Sequence, residues 1–163
     1  MRTLILIRHA KSDWNDASLS DFDRPLNERG KNDAPAMAKR LSERKVSIDA
    51  FITSPAKRAK KTATIFAKEF DFSKDDIILE EDLYGASPDA FFDVITGLHK
   101  DIKNVAIFSH NPGITEFANQ LTQTRIDNMP TCGVFAVKVD AKSWSDFKDA
   151  DKTFWFFDYP KAS

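Results

Sequence analysis

Two hydrophobic periods alternate along this 163-residue chain. Thr3–Ile7 is an almost unbroken apolar run that stops at Arg8 and His9. A strand apolar on both faces is what a parallel sheet with helices on each side requires. After a polar loop from Lys11 to Pro25, Asn27 offers an N-cap, and Ala34, Met37, Ala38 and Leu41 recur at the spacing of one helical face. Pro35 lies inside that helix and is expected to bend or split it, because an interior proline costs about 3 kcal/mol. Ala50–Thr53 reads as a short strand, and Ser54-Pro55 as the N-cap and first position of a second helix running to about Glu69. Its inward stripe is Ala59, Ala63, Phe66 and Phe70, with Lys57, Lys60, Lys61 and Lys68 left to solvent.

The same alternation continues. Ile77–Leu79 is expected as an edge strand, and Ser87-Pro88 opens a third helix with Phe91, Val94, Ile95 and Leu98 on one face. Val105–Phe108 forms another apolar strand ending in Ser109-His110, and Asn111-Pro112 starts a helix carrying Ile114, Phe117, Ala118 and Leu121. Gly133–Val139 and Thr153–Phe157 read as closing strands, followed by a tail from Asp158 to Ser163 with surface composition that is expected to fray. Strands alternating with helices predict a three-layer α/β sandwich with a mainly parallel sheet, and residues 1–163 as one domain.

Composition narrows the function classes. Lys plus Arg (24) balances Asp plus Glu (25), so no global positive field draws the chain to nucleic acid or anionic membranes. The single cysteine, Cys132, cannot close an intramolecular disulfide or build a multi-cysteine zinc site. With no signal-peptide pattern or membrane-length apolar run, the expectation is a soluble cytoplasmic protein. The five glycines lack the spacing of a dinucleotide turn, and Pro25 and Asn32 occupy positions where a P-loop around Gly30-Lys31 needs Gly and Ser or Thr. His9, His99 and His110 lack the close pairing of a helical zinc site.

In an open parallel sheet, ligands gather beyond the carboxyl ends of the strands. That rule brings together Arg8 and His9 after the first strand, Arg58 at the start of the second helix, and His110 after the strand at Val105–Phe108. Neighbouring strand residues point to opposite faces, but at a strand end the chain turns and both Arg8 and His9 can line one cavity. Guanidinium forks and helix N-termini suit phosphoryl oxygens, and surrounding positive charge keeps an imidazole neutral and able to attack phosphorus. Taken singly, each residue has an ordinary structural reading: Arg58 sits in a lysine-rich helix face, and His99 lies near a helix C-terminus where its charged form complements the dipole. Two other phosphatase chemistries find little support. A cysteine phosphatase loop needs Arg where Lys138 stands, six positions after Cys132, and Asp21–Pro25 lacks the preceding buried strand and the Thr or Val of an aspartyl-phosphatase motif.

The run Leu4–Ala10 resembles the N-terminal Arg-His signature of the histidine phosphatase, or phosphoglycerate mutase-like, superfamily. The ordered set of Arg8–Ser12, Asp23–Gly30, Ser54-Pro55 with Arg58-Ala59, Leu83–Ser87, Ser109–Gly113 and Met129–Thr131 resembles its SixA-type phosphohistidine phosphatase branch over nearly the whole chain. The resemblance implies that His9 is the nucleophile, that Arg8, Arg58 and His110 bind the phosphoryl oxygens, and that no metal or organic cofactor takes part. It offers Glu81, in Leu79-Glu80-Glu81 ahead of Gly85, as first candidate for the acid/base group, with Asp82, Asp21 and Asp23 as alternatives. The implied substrate is a phosphorylated protein bearing phosphohistidine, handled by a monomer. A small-molecule phosphomonoesterase and a non-catalytic phosphate-binding domain are the competing readings.

Overall fold

The structure, a computed structural model, describes residues 1–162. Six strands form one sheet: β1 Arg2–Arg8, β2 Ala50–Thr53, β3 Ile78–Leu79, β4 Asn104–Ser109, β5 Val134–Asp140 and β6 Asp151–Asp158. Their spatial order is β3-β2-β4-β1-β5-β6. The four strands from β3 to β1 run parallel, and β5 and β6 complete the sheet by antiparallel pairing. Four helices cover it: α1 Glu28–Ser42, α2 Lys57–Glu69, α3 Pro88–Thr96 and α4 Gly113–Ala118.

Strand alternation divides the core in two. Leu4 and Leu6 of β1, with Val105 and Ile107 of β4, face a cluster built with Phe91 and Ile95 of α3 and Ile114 and Phe117 of α4. Ile5 and Ile7, with Ala106 and Phe108, face the opposite cluster, which includes Met37 and Leu41 of α1 and Phe66 of α2. The three layers follow: α1 and α2 on one face, the sheet, and α3 and α4 on the other. Among the described residues, no helix is long and apolar enough to cross a membrane.

Several local expectations are corrected. Helix α1 runs unbroken through Pro35. The proline lies on the exposed face, where water can satisfy the carbonyl left without its N–H partner, while Ala34, Met37, Ala38 and Leu41 are buried opposite. Helix α2 begins at Lys57, so Ser54 and Pro55 precede it instead of capping it. Helix α4 starts at Gly113 and ends at Ala118; Leu121 is buried from the turn beyond. Strand β6 starts at Asp151, two residues before the expected Thr153. The tail is tied down: Arg40 of α1 pairs with the buried Asp158 carboxylate and donates to the carbonyls of Pro160 (3.4 Å) and Ala162 (3.1 Å). Ser163, also assigned to that tail, lies outside the described residues.

Candidate active site

A cleft of about 460 Å³ opens where β1, β2 and β4 end and α2 begins. Its lining includes Arg8, His9, Lys11, Asp21, Arg24, Arg58, Tyr84 and His110. Arg8, His9, Arg58 and His110, spread over about a hundred positions of sequence, thus meet in one cavity. Residue 9 lies just past the last residue of β1, and both Arg8 and His9 line the cleft as the strand-end geometry requires. The backbone there is pinned from both sides: His9 N–H donates to the Ser109 carbonyl at 3.2 Å, and Cys132 N–H to the carbonyls of Arg8 and His9 at 3.0 Å.

His9 is buried, and its Nδ1 lies 2.8 Å from the Ala10 carbonyl. A carbonyl only accepts, so Nδ1 carries the hydrogen and Nε2 keeps its lone pair. Arg58 Nε–H makes a long contact of 3.4 Å with that Nε2. Thr62 fixes the local frame, its hydroxyl accepting from Ala10 N–H at 3.0 Å and donating to the Arg58 carbonyl at 2.8 Å. Burial, and then the nearby His110, Arg58 and Arg8, push the His9 pKa down to about 3 against the opposing pull of the Ala10 hydrogen bond. The ring is therefore neutral near pH 7.

His110 stands beside it, with ring centroids 5.0 Å apart. Its Nε2 is 2.7 Å from Ser54 Oγ, while the buried Nδ1 has no partner among the described residues. Burial, followed by Arg58, lowers its pKa to about 4, with Asp21 opposing. Arg8 donates to the Met129 carbonyl at 2.9 Å, its buried Nε has no acceptor among the described residues, and burial together with Arg58 lowers its pKa. Both lone atoms are buried polar groups without partners, which in a folded protein call for an explanation.

The Arg58 fork is engaged by Asp21, donating to the backbone carbonyl at 2.6 Å and to Oδ2 at 3.0 Å. The same carboxylate accepts from Tyr84 Oη–H at 2.7 Å and from Arg24 at 2.9 Å. The Tyr84 hydrogen bond and then the two guanidiniums hold its pKa below the usual carboxylate range, and Tyr84 is raised in turn. Arg24 also donates to Ser12 Oγ at 2.6 Å and lies 3.4 Å from the Trp14 ring centroid, while the indole is 68% exposed at the rim.

The other candidates lie apart from this cluster. Glu81 and Asp82 are on an exposed 3-10 turn at Glu81–Leu83 and are not among the cleft-lining residues. Asp23 is exposed and accepts from Ser20 Oγ at 3.0 Å. His99 lies in the turn before β4, at the opposite end of that strand from His110. The sequence did not single out Ser54, Tyr84 or Arg24 for the site; Ser54 reads as a helix cap, and Tyr84 sits in a segment without periodicity. Among the described residues, no cluster of three or more His, Cys, Asp or Glu side chains is placed to hold a metal ion.

The sequence profile of the histidine phosphatase superfamily (branch 1) matches residues 4–86, which include Arg8, His9, Asp21, Arg58 and Tyr84. The chain belongs to the histidine phosphatase superfamily. An uncharacterized chloroplastic protein of Arabidopsis thaliana is 29% identical over 153 residues, covering 89% of this chain and 70% of its own. A 2,3-bisphosphoglycerate-dependent phosphoglycerate mutase of Bartonella henselae is 36% identical over 106 residues, or 61% of this chain, which spans about half (48%) of the mutase. Among solved structures, the protein histidine phosphatase SixA complexed with tungstate superposes with a TM-score of 0.82 at 20% identity, covering 97% of each chain. This histidine phosphatase superfamily member thus has the phosphoglycerate mutase-like fold, shared with the SixA structure over nearly the whole of both chains.

Proposed function

We propose that this protein is a phosphohistidine phosphatase that takes the phosphoryl group of a phosphorylated protein onto His9 Nε2 and releases it to water. The observation carrying this reading is the His9 Nδ1–H bond to the Ala10 carbonyl, which leaves a neutral Nε2 lone pair in a cleft with three guanidiniums. That lone pair attacks phosphorus; the bond from phosphorus to the substrate nitrogen breaks, its electrons stay on the departing imidazole, and that ring takes up a proton. Arg8 and Arg58 neutralise the phosphoryl oxygens as they transfer. With the Ser54 hydroxyl donating to Nε2 of His110, its Nδ1–H is a free donor, and together with Arg8 Nε–H it supplies hydrogen bonds that a tetrahedral oxyanion can accept.

In the second step water attacks the phosphoryl-His9 intermediate, loses a proton to a base, and inorganic phosphate leaves as the bond to Nε2 breaks. We assign that base to Asp21, whose carboxylate lines the cleft. Tyr84, Arg24 and Arg58 all hold that carboxylate, so a phosphoryl group that takes over the Arg58 fork removes one of the two cations and raises the basicity of Asp21 part of the way. Glu81 would need to move from its exposed turn to act. The scheme draws on no metal or organic cofactor.

The exposed rim, with Trp14 at 68% and Tyr84 at 38% exposure, supports a protein-borne substrate over an enclosed metabolite. Turnover of phosphohistidine proteins beside a panel of phosphorylated metabolites tests the assignment. Efficient release of phosphate from phosphohistidine is expected. Turnover confined to metabolites would overturn it in favour of a small-molecule phosphomonoesterase, and no turnover at all in favour of a phosphate-binding domain.

A further inference from the structure

A second groove, of about 480 Å³, lies beside the cleft and is floored by Pro25, Leu26 and Thr64. Five lysines line it: Lys31 from α1, Lys57, Lys60 and Lys61 from α2, and Lys74 from the 3-10 turn at Lys74–Asp76. All five are exposed. Among the described residues only Lys31 has a carboxylate within ion-pair distance, Glu28 at 3.7 Å. The whole chain is close to neutral, so this is a local segregation of charge from three separate elements. Four ammonium groups without an ion-pair partner among the described residues, around one concavity, favour negative charge there.

The groove adjoins the cleft. Pro25 follows Arg24 and Lys57 precedes Arg58, and both arginines line the cleft while their neighbours line the groove. A chain whose phosphorylated residue enters the cleft therefore has its flanking residues within reach of the lysines. We propose that this groove docks an acidic segment of the substrate protein, next to the phosphorylated residue, and so selects among phosphoproteins. The inference rests on the phosphohistidine reading of the cleft. Docking of this kind acts on encounter and binding, and leaves the chemical step unchanged because none of the five lysines lines the cleft.

The test uses two phosphohistidine peptides that differ only in flanking residues, Asp/Glu in one and Asn/Gln in the other, with the wild-type protein and a Lys57→Glu/Lys60→Glu/Lys61→Glu variant. Wild type is expected to show a KM about tenfold lower for the acidic peptide at low salt, as three exposed ion pairs would give. That preference should shrink as salt rises and disappear or invert in the variant, with kcat unchanged. Equal KM values for the two peptides, or a preference that survives in the variant, would overturn the docking groove. The same peptide pair carrying phosphotyrosine separates the two claims. Turnover of phosphotyrosine alone, with the acidic preference kept, would reject the phosphohistidine reading and leave the groove standing; no turnover of any phosphopeptide would reject both.

Discussion

In the proposed reaction a single hydrogen bond at His9 decides which nitrogen attacks. The Ala10 carbonyl takes the Nδ1 hydrogen, so Nε2 faces the cleft with its lone pair, and burial among cations lowers the ring's pKa to about 3. An ordinary histidine titrates near 6.5. The acid limb of kcat/KM is therefore expected well below that value, with activity level from pH 7.5 to about pH 5, and a limb centred near 6.5 would show that the ring is not shielded as described. The proposed reaction gives Asp21 two roles that one substitution separates. Asp21→Asn removes the carboxylate competing for Arg58, so tungstate or inorganic phosphate is expected to bind several-fold more tightly, while hydrolysis of the intermediate slows by about a hundredfold. Calorimetric titration and single-turnover kinetics read the two effects. The convergence of Arg8, His9, Arg58 and His110 on one cleft was legible in the sequence because the first two and His110 stand at strand ends and Arg58 opens a helix. The bonds of Asp21 to Arg58 and Tyr84 were not, because they join a loop to residues 37 and 63 positions away, a separation no local pattern encodes.

Elements reach the site by close backbone approach. At Gly113, the first residue of α4, an added Cβ would stand 1.9 Å from the Ala86 carbonyl oxygen, so the helix start and the Tyr84–Ala86 loop depend on the missing side chain. Gly113→Ala is expected to destabilise the fold by about 2 kcal/mol or more, measured by urea unfolding, and to weaken activity through the neighbouring His110. Gly97, which ends α3 at φ −88°, is the control: an added Cβ there meets nothing closer than 3.5 Å, and Gly97→Ala is expected to be neutral or to stabilise by about 0.5 kcal/mol. Strands and helices were legible because their apolar periods survive in the fold. Their starts were less so. Ser54-Pro55 and Asn111-Pro112 carry the composition of helix caps, but Ser54 Oγ holds His110 Nε2 and helix α2 opens three residues later. At the first junction the polar side chain serves both the helix start, where Ser54 Oγ accepts from Ala56 N–H at 3.2 Å, and the cleft.

Across the whole molecule, two buried neutral histidines couple the cleft to stability. Their folded pKa values, about 3 and about 4, lie below the unfolded value near 6.5, so the unfolded chain binds more protons in that window. Their contribution to stability is full above pH 6.5 and is lost as the pH drops from there toward 4 for His110 and toward 3 for His9. A His9→Gln/His110→Gln variant is expected to flatten that part of the profile in denaturant titrations; an unchanged slope would mean the histidines are solvated. The mainly parallel sheet was legible from its doubly apolar strands, whereas the antiparallel β5 and β6 needed the pairing itself, and the Arg40 clasp on the tail joins residues 118 positions apart. The proposed reaction turns on a phosphoryl group bonded to His9 through Nε2. Rapid alkaline quench of the enzyme with labelled substrate, followed by peptide mapping and separation of the two phosphohistidine isomers, tests this directly. Label on His9 as the Nε2-phosphorylated isomer is the expected result; label on Nδ1, on another residue, or undiminished turnover by His9→Ala would contradict it.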